Sequence, residues 1–347
     1  MTTEGSQGHG AGTLSAGETR THDGRKPTPR LLQRQPMMRR VILATIPCCA
    51  GAVYYFGWRS LAVIAASCVA AFVAEYLFCR RRKEPVSEAV FVTAILYALT
   101  MPPTVPWHVL VIGVVFAIVF AKEVFGGFGR NIFNPAISGR CFVYICFPVA
   151  MTSTWAPAAQ GPLGALAQWS TAGGVDGITS ATPLAQMKAG VYVPGMEDLL
   201  HGFFLGRMGG SMGVTSAMLI LVGGAYLFYT RTANRTLIVT VIATFAVLTH
   251  ALHWLGVQPV TGAVSAVLGG GFLFGAFFMV TDPVSAPATQ AGRVIYAMLI
   301  AAATVVIRNF SAFTDGLMFA IMLGNMFAPI IDLGVRRFGA PKKATPA

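Results

Sequence analysis

Lys122–Arg140 reads KEVFGGFGRNIFNPAISGR, and a shorter echo, Thr281–Arg293, reads TDPVSAPATQAGR. In each, an Asn-Pro or Asp-Pro turn leads to a Gly-Arg that opens an apolar run. Proline fixes φ and removes a backbone donor, so each dipeptide stops one helix and pre-sets the next. Related helix breaks in two halves of an apolar chain are a common plan for membrane proteins that handle ions or small solutes.

The composition agrees with that plan. The chain of 347 residues is 55% hydrophobic and 11% charged, where a soluble domain carries about a quarter charged residues. We therefore read an all-α polytopic membrane protein. Ten apolar spans are expected, at 41–57, 60–78, 88–101, 105–122, 138–152, 213–229, 236–256, 263–280, 293–307 and 315–332. The third and fifth are short enough to stop within the membrane. Five spans before and five after a long polar segment form two repeats, and an odd number per half inverts the second.

Charge supplies the orientation. With the N-terminus inside, 21 of the 25 lysines and arginines fall on the cytoplasmic side, leaving Arg59, Lys188, Arg207 and Arg308 outside. Both termini are then cytoplasmic. The organisation expected is a disordered basic tail (1–40), a first five-helix repeat (41–152), an extracytoplasmic loop (153–212), a second repeat (213–335) and a basic tail (336–347). The net charge of +12 reflects this asymmetry. It does not point to nucleic acid, because the basic residues are scattered between apolar spans. Six cysteines show no CxxC pair and no Cys/His cluster, so neither a metal site nor a disulfide framework is expected.

Three groups of residues are candidates for chemistry. In DGITSATPL (176–184), Thr182 offers a hydroxyl for an ester bond, although the stretch also reads as an ordinary Ser/Thr-rich turn. In FGGFGRNIFNP (125–135), Gly126 and Gly127 allow close backbone approach to a flat ligand or to a neighbouring helix. There Arg130 and Asn131 could bind a phosphate, a quinone carbonyl or a flavin edge, or cap helix ends. Among the acids Glu75, Glu88, Glu123, Asp282, Asp315 and Asp332, solvation or a salt bridge is the default, and Asp282 is the best placed for cation handling. His250 and His253 read as interfacial. Trp155 and Trp169 could anchor the loop at the interface, and a tryptophan could also stack on a flavin.

Several stretches in order resemble one family: TMPPTVPWHV (100–109), AKEVFGGFGRNIFNPAISGR (121–140), DGITSATPL (176–184), FFMVTDPVSAP (277–287) and IRNFSAFTDGLMFAIMLGNMFAPIID (307–332). They are similar to the D subunit of the Rnf complex (ferredoxin:NAD oxidoreductase) and the B subunit of the sodium-translocating NADH:quinone oxidoreductase. The resemblance implies a urea-transporter-like inverted repeat in a bacterial inner membrane. It implies FMN esterified to Thr182 by a flavin transferase, with Asp176, Ser180 and Ala181 completing the transferase signal. It implies a second, non-covalent flavin (riboflavin), and a quinone site near Gly126 and Gly127 in the quinone-reducing branch. The expected partners are the other members of the complex and membrane lipid. The expected function is electron transfer between flavins coupled to Na+ or H+ export, with no activity for the chain alone. YYFGWRSL (54–61) resembles the Rnf branch and KEVFGG the quinone-reductase branch. One departure is Gly213-Val214-Thr215-Ser216, where the family usually has Gly-Glu-x-Ser. A cofactor-free channel or transporter of the same fold is the alternative from another class.

Overall fold

A computed structural model describes residues 31–153, 155–171 and 182–339. Asp176, Ser180 and Ala181 lie outside the described residues, as do the chain before residue 31 and after residue 339.

In chain order the helices are α1 (Pro36–Phe56), α2 (Arg59–Arg82), α3 (Ala89–Leu99), α4 (Trp107–Ile118), α5 (Pro135–Cys146), α6 (Pro148–Thr152), α7 (Pro183–Lys188), α8 (Ala217–Tyr229), α9 (Arg235–Trp254), α10 (Ala263–Leu268), α11 (Phe272–Phe278), α12 (Gln290–Phe310) and α13 (Gly316–Gly339). A π-helical turn, Val119–Glu123, extends α4, and a second, Asp198–Phe204, lies between α7 and α8. Among the described residues, the strand structure is one two-residue parallel pair, Leu32–Gln33 with Val86–Ser87. Helices α1, α2, α9, α12 and α13 are long and apolar enough to cross a membrane. The molecule is an α-helical, multi-pass membrane protein.

The local sequence explains where helices start and break. Asn134 caps α5 by accepting from the Ala136 and Ile137 N–H groups, with Pro135 at the first position. Asn234 and Thr289 cap α9 and α12 in the same way. The expected span at 263–280 is two helices, not one. Gly269-Gly270-Gly271 separates α10 from α11, with φ +61° at Gly270 and +69° at Gly271. A side chain at either position would be strained, so the break belongs to the glycines. The span at 138–152 starts earlier, at Pro135, and breaks at Phe147-Pro148. Helix α1 starts at Pro36, inside the stretch expected to be tail, and the loop runs on to Ser216, which caps α8. Helix α3 has 11 residues. That is about 17 Å at 1.5 Å per residue, too short for a hydrocarbon core of about 30 Å.

Packing follows one scheme twice. Helix α2 packs on α3 and α4, and α9 packs on α10, α11 and α12. Helix α4 packs on α5 as α12 packs on α13, and α1 on α3 as α8 on α11. The two sets meet through α1 against α8 and α5 against α13, around one continuous apolar core.

This order corrects the sequence rhyme. The helix preceding Thr281 is the short α11, and its counterpart is α3, which ends before Thr100. Thr100–Pro106 (TMPPTVP) and Thr281–Pro287 (TDPVSAP) share Thr-x-Pro-x-x-x-Pro. In both, the threonine hydroxyl donates back into the helix it ends: Thr100 to the Tyr97 carbonyl at 2.7 Å, and Thr281 to the Phe277 carbonyl at 2.8 Å. Lys122–Arg140 follows the fourth helix of its set, so the Asn-Pro and Asp-Pro echo joins turns at different positions.

Candidate functional site

Two cavities open along α5, one toward each end. Thr182 lies on the wall of the larger, about 390 Å³. Its hydroxyl oxygen accepts from the Ala185 N–H at 3.3 Å and so caps α7, while Pro183 takes the first helical position. Leu184 and Met187 on α7 pack against Phe203. Lys188 Nζ donates to the Ser311 and Phe313 carbonyls, fastening α7 to the connection between α12 and α13. Partial burial there holds the Lys188 pKa below its ordinary value. The hydroxyl is thus held in place on a short helix docked at both ends.

The cavity walls are mostly apolar. Phe203, Phe274, Met151, Leu317 and Trp155 line it, together with Thr100 and Thr215. Two ionised side chains line it: Arg140 from the first turns of α5, and Asp315 just before α13. They form an ion pair, Arg140 Nη2 to Asp315 Oδ2. Arg140 Nη1 is buried and has no partner. Behind Gly270 lies Arg308, 4% exposed. Its guanidinium donates to the Ala266 carbonyl at 2.7 Å and the Gly270 carbonyl at 3.3 Å, and its Nε has no partner. It sits 5.3 Å from the Phe245 ring centroid and 5.9 Å from that of Phe272.

The cavity has the dimensions of a small-molecule site. The volume falls in the range of about 300–1,000 Å³ usual for small-molecule sites, and the lining is apolar with a few convergent polar groups. The wall includes Thr182, aromatic residues and Arg140, whose buried Nη1 has no partner.

The smaller cavity, about 70 Å³, is lined by Lys122, Asn131, Asn134, Thr281 and Asp282. Here the two halves touch directly, since Asn134 Nδ2 donates to the Met279 carbonyl at 3.2 Å. Asp282 accepts from the Val284 N–H at 3.2 Å and from the Ser285 hydroxyl at 2.9 Å. Beside the cavity, Lys122 bridges Glu75, at 2.5 Å, and Ser87, at 2.7 Å, with Lys122 and Glu75 only 2% and 1% exposed. Arg82 pairs with Glu123. Glu75, Cys79 and Glu123 lie close enough together to bind a metal ion. Both carboxylates are already matched by a cation, so that arrangement reads as an ion-pair network.

The structure separates the sequence candidates. Thr182 belongs to the larger cavity, and Asn131 to the smaller, where its amide donates to the Phe133 carbonyl. Gly126, Gly127 and Arg130 line neither. Gly126 and Gly127 take φ +104° and +91°, a turn in which Arg82 and the exposed Arg130 fill the space that side chains at these positions would occupy. Val214 and Thr215, where the family pattern departs, line the Thr182 cavity, as does Trp155, whereas Trp169 is exposed. His253 Nδ1 donates to the Val260 carbonyl at 3.0 Å.

The sequence reading missed the placement of Arg140, which lines the larger cavity, and of Arg308, which lies behind Gly270. Counted from sequence as loop charges of opposite sides, both are buried helix residues. The available signal was an arginine inside an apolar run, which in a membrane protein marks a functional position by default.

Comparison with known proteins gives a consistent answer. The chain is 37% identical over 309 residues to the D subunit of the ion-translocating oxidoreductase complex of Alcanivorax borkumensis, covering 85% of this chain and 89% of the relative. It is 36% identical over 305 residues to the D subunit of the proton-translocating ferredoxin:NAD(+) oxidoreductase complex of Clostridium ljungdahlii, with 85% and 88% covered. The B subunit of the Na(+)-translocating NADH-quinone reductase of Pseudomonas aeruginosa matches at 38% over 271 residues, covering 74% of this chain and 62% of the relative. The model of the NQR2, RnfD, RnfE family matches residues 30–339, and the chain belongs to that family.

Proposed function

We propose that this chain is the membrane component of an Rnf-type ferredoxin:NAD oxidoreductase, carrying FMN on Thr182 and taking part in electron transfer coupled to export of Na+ or H+. The observation that carries the reading is the position of Thr182 on the wall of a cavity of flavin size, beside a buried arginine with an unused N–H. Attachment would form an Oγ–P bond and release the hydroxyl proton, with a phosphoanhydride in the flavin donor broken by a flavin transferase. FMN at this position would supply one- and two-electron redox chemistry. The chain's own residues hold α7, exclude water with the Phe203, Phe274 and Met151 wall, and present Arg140 at the polar side.

The Rnf branch is favoured over the quinone-reductase branch by coverage: both D-subunit relatives align over nearly their whole length, and the B-subunit relative over 62%. A complex purified with this chain should reduce NAD+ with reduced ferredoxin. Reduction of quinone by NADH without that activity would assign the chain to the other branch.

The architecture proposed is two inverted five-helix repeats. Its support is the shared Thr-x-Pro-x-x-x-Pro ending of α3 and α11. Thr100 lines the Thr182 cavity and Thr281 the opposite one, so the equivalent turns lie toward opposite ends of α5. We further propose an inner-membrane location with both termini cytoplasmic, which puts Thr182 on the outer side. The basic run at the end of α2 and Lys122 then fall on the inner side, as the positive-inside rule requires. A cysteine placed at Lys188 should react with an impermeant thiol reagent from outside; labelling from the cytoplasm alone would reverse the orientation.

A further inference from the structure

Helix α2 ends in Arg80, Arg81 and Arg82, with Lys83 as a left-handed C-cap at φ +57°. Arg82 acts as a clamp. It pairs with Glu123 in the π-helical turn that extends α4, and so ties the end of α2 to the end of α4. Glu84 lies 3.1 Å from the same guanidinium, and Lys122 pairs with Glu75. These pairs use every acid of segments 75–84 and 119–132, and Glu88, next along the chain, is held by Arg39. Arg80, Arg81, Lys83 and Arg130 are exposed and, among the described residues, form no salt bridge.

The Gly126-Gly127 turn brings Arg130 to this group. A methyl group built on Gly126 would lie 3.1 Å from Arg130 Nη1, and one on Gly127 would lie 3.0 Å from Arg82 Nη2. Both glycines have left-handed φ, so two guanidiniums flank a turn that other residues would strain. Arg80 and Arg81 stand in the same last turn of α2 as Arg82.

Two apolar stripes run to these cations. On α2, Val69, Val73 and Leu77 are exposed at the spacing of one helix face, and Arg80 and Arg81 come three and four residues after Leu77. On the extension of α4, Phe120 and Val124 are exposed, and Phe125 and Phe128 continue the apolar surface into the glycine turn. Helix α2 is long and apolar enough to cross a membrane, and it packs on α4. Apolar surface along a span with cations at its end matches the order of acyl chain and headgroup in a phospholipid.

We propose that Arg80, Arg81 and Arg130 bind the phosphodiester headgroup of an anionic phospholipid, whose acyl chains lie against Leu77 and Phe120. The neighbouring acids are taken by Arg82 and Lys122, so the headgroup supplies the negative charge that the protein does not. Basic residues near a membrane surface attract anionic lipid in general. Here they stand on two helices locked together by the Arg82–Glu123 pair, which makes a fixed site in place of a diffuse charge.

The full-length chain is reconstituted in phosphatidylcholine bilayers with a trace of spin-labelled phosphatidylglycerol or spin-labelled phosphatidylcholine. The motionally restricted fraction of each is read by electron paramagnetic resonance. We expect phosphatidylglycerol to associate about fivefold more strongly, the effect of one basic residue acting at the surface. Arg80→Gln, Arg81→Gln and Arg130→Gln combined in one chain should abolish most of that preference, and the three Arg→Lys changes, which keep the charge, should retain it. Arg336→Gln with Arg337→Gln removes two cations at the end of α13 and should leave the preference unchanged. Equal association of the two lipids with the wild-type chain would overturn the proposal without any variant having to fold. An equal loss of preference in the α13 variant would also overturn it, by showing that net charge alone attracts the lipid.

Discussion

The two cavities along α5 differ in size and in the charges around them. The Thr182 cavity is about 390 Å³ and mostly apolar, with the Arg140–Asp315 pair in its lining. The Asp282 cavity is about 70 Å³ and adjoins a network of matched ion pairs, Glu75–Lys122 and Glu123–Arg82. Related turns therefore frame unlike sites. One end has the volume of a small-molecule site, with a single ion pair in an otherwise largely apolar lining. The other adjoins matched ion pairs and holds Asp282, whose partners are the Val284 N–H and the Ser285 hydroxyl.

Variants can break this contrast. The largest effect is expected beside the smaller cavity. Lys122→Ala leaves Glu75 buried and unpaired, and should cost about 3–5 kcal/mol. That would appear as a large fall in thermal stability by fluorescence-detected size exclusion, and an unchanged melting temperature would remove the network from the account of stability. Gly270→Ala should cost about 2 kcal/mol, from the left-handed backbone and from overpacking against Leu184. It should also lower flavin attachment at Thr182, and normal attachment with normal stability would contradict the close approach described. Arg140→Gln breaks the pair with Asp315, but that carboxylate is 24% exposed and can recruit water. The loss should be only about 1–2 kcal/mol, measurable as a modest shift in the same melting assay. Asn134→Ala removes the α5 cap and the bond to the Met279 carbonyl, for about 1 kcal/mol. A shift as large as that of Lys122→Ala would mean the two halves are held together mainly at this point.

The class of molecule was legible from composition, because no soluble domain needs so few charges. Helix starts at Asn134, Asn234 and Thr289 were legible in principle as capping residues before apolar runs. The break in α10–α11 was not, because Gly269-Gly270-Gly271 reads as three small residues within a continuous apolar stretch. Asn-Pro and Asp-Pro stood out in the sequence, whereas the Thr-x-Pro-x-x-x-Pro that ends both α3 and α11 required knowing which helix came before. At the site, the residues alone left Thr182 as either an ester hydroxyl or an ordinary turn residue, and the family resemblance singled it out. The burial of Arg140 and Arg308 could not be read, since it arises from long-range packing of α5, α10 and α12.

The most direct measurement of the central claim is flavin fluorescence on a denaturing gel. The chain is produced together with a flavin transferase, as wild type and as Thr182→Ala, and equal amounts of folded protein are compared under ultraviolet light. The account predicts a fluorescent band in the wild type that is absent from Thr182→Ala. A dark wild-type band, or an equally bright band in the variant, would contradict it.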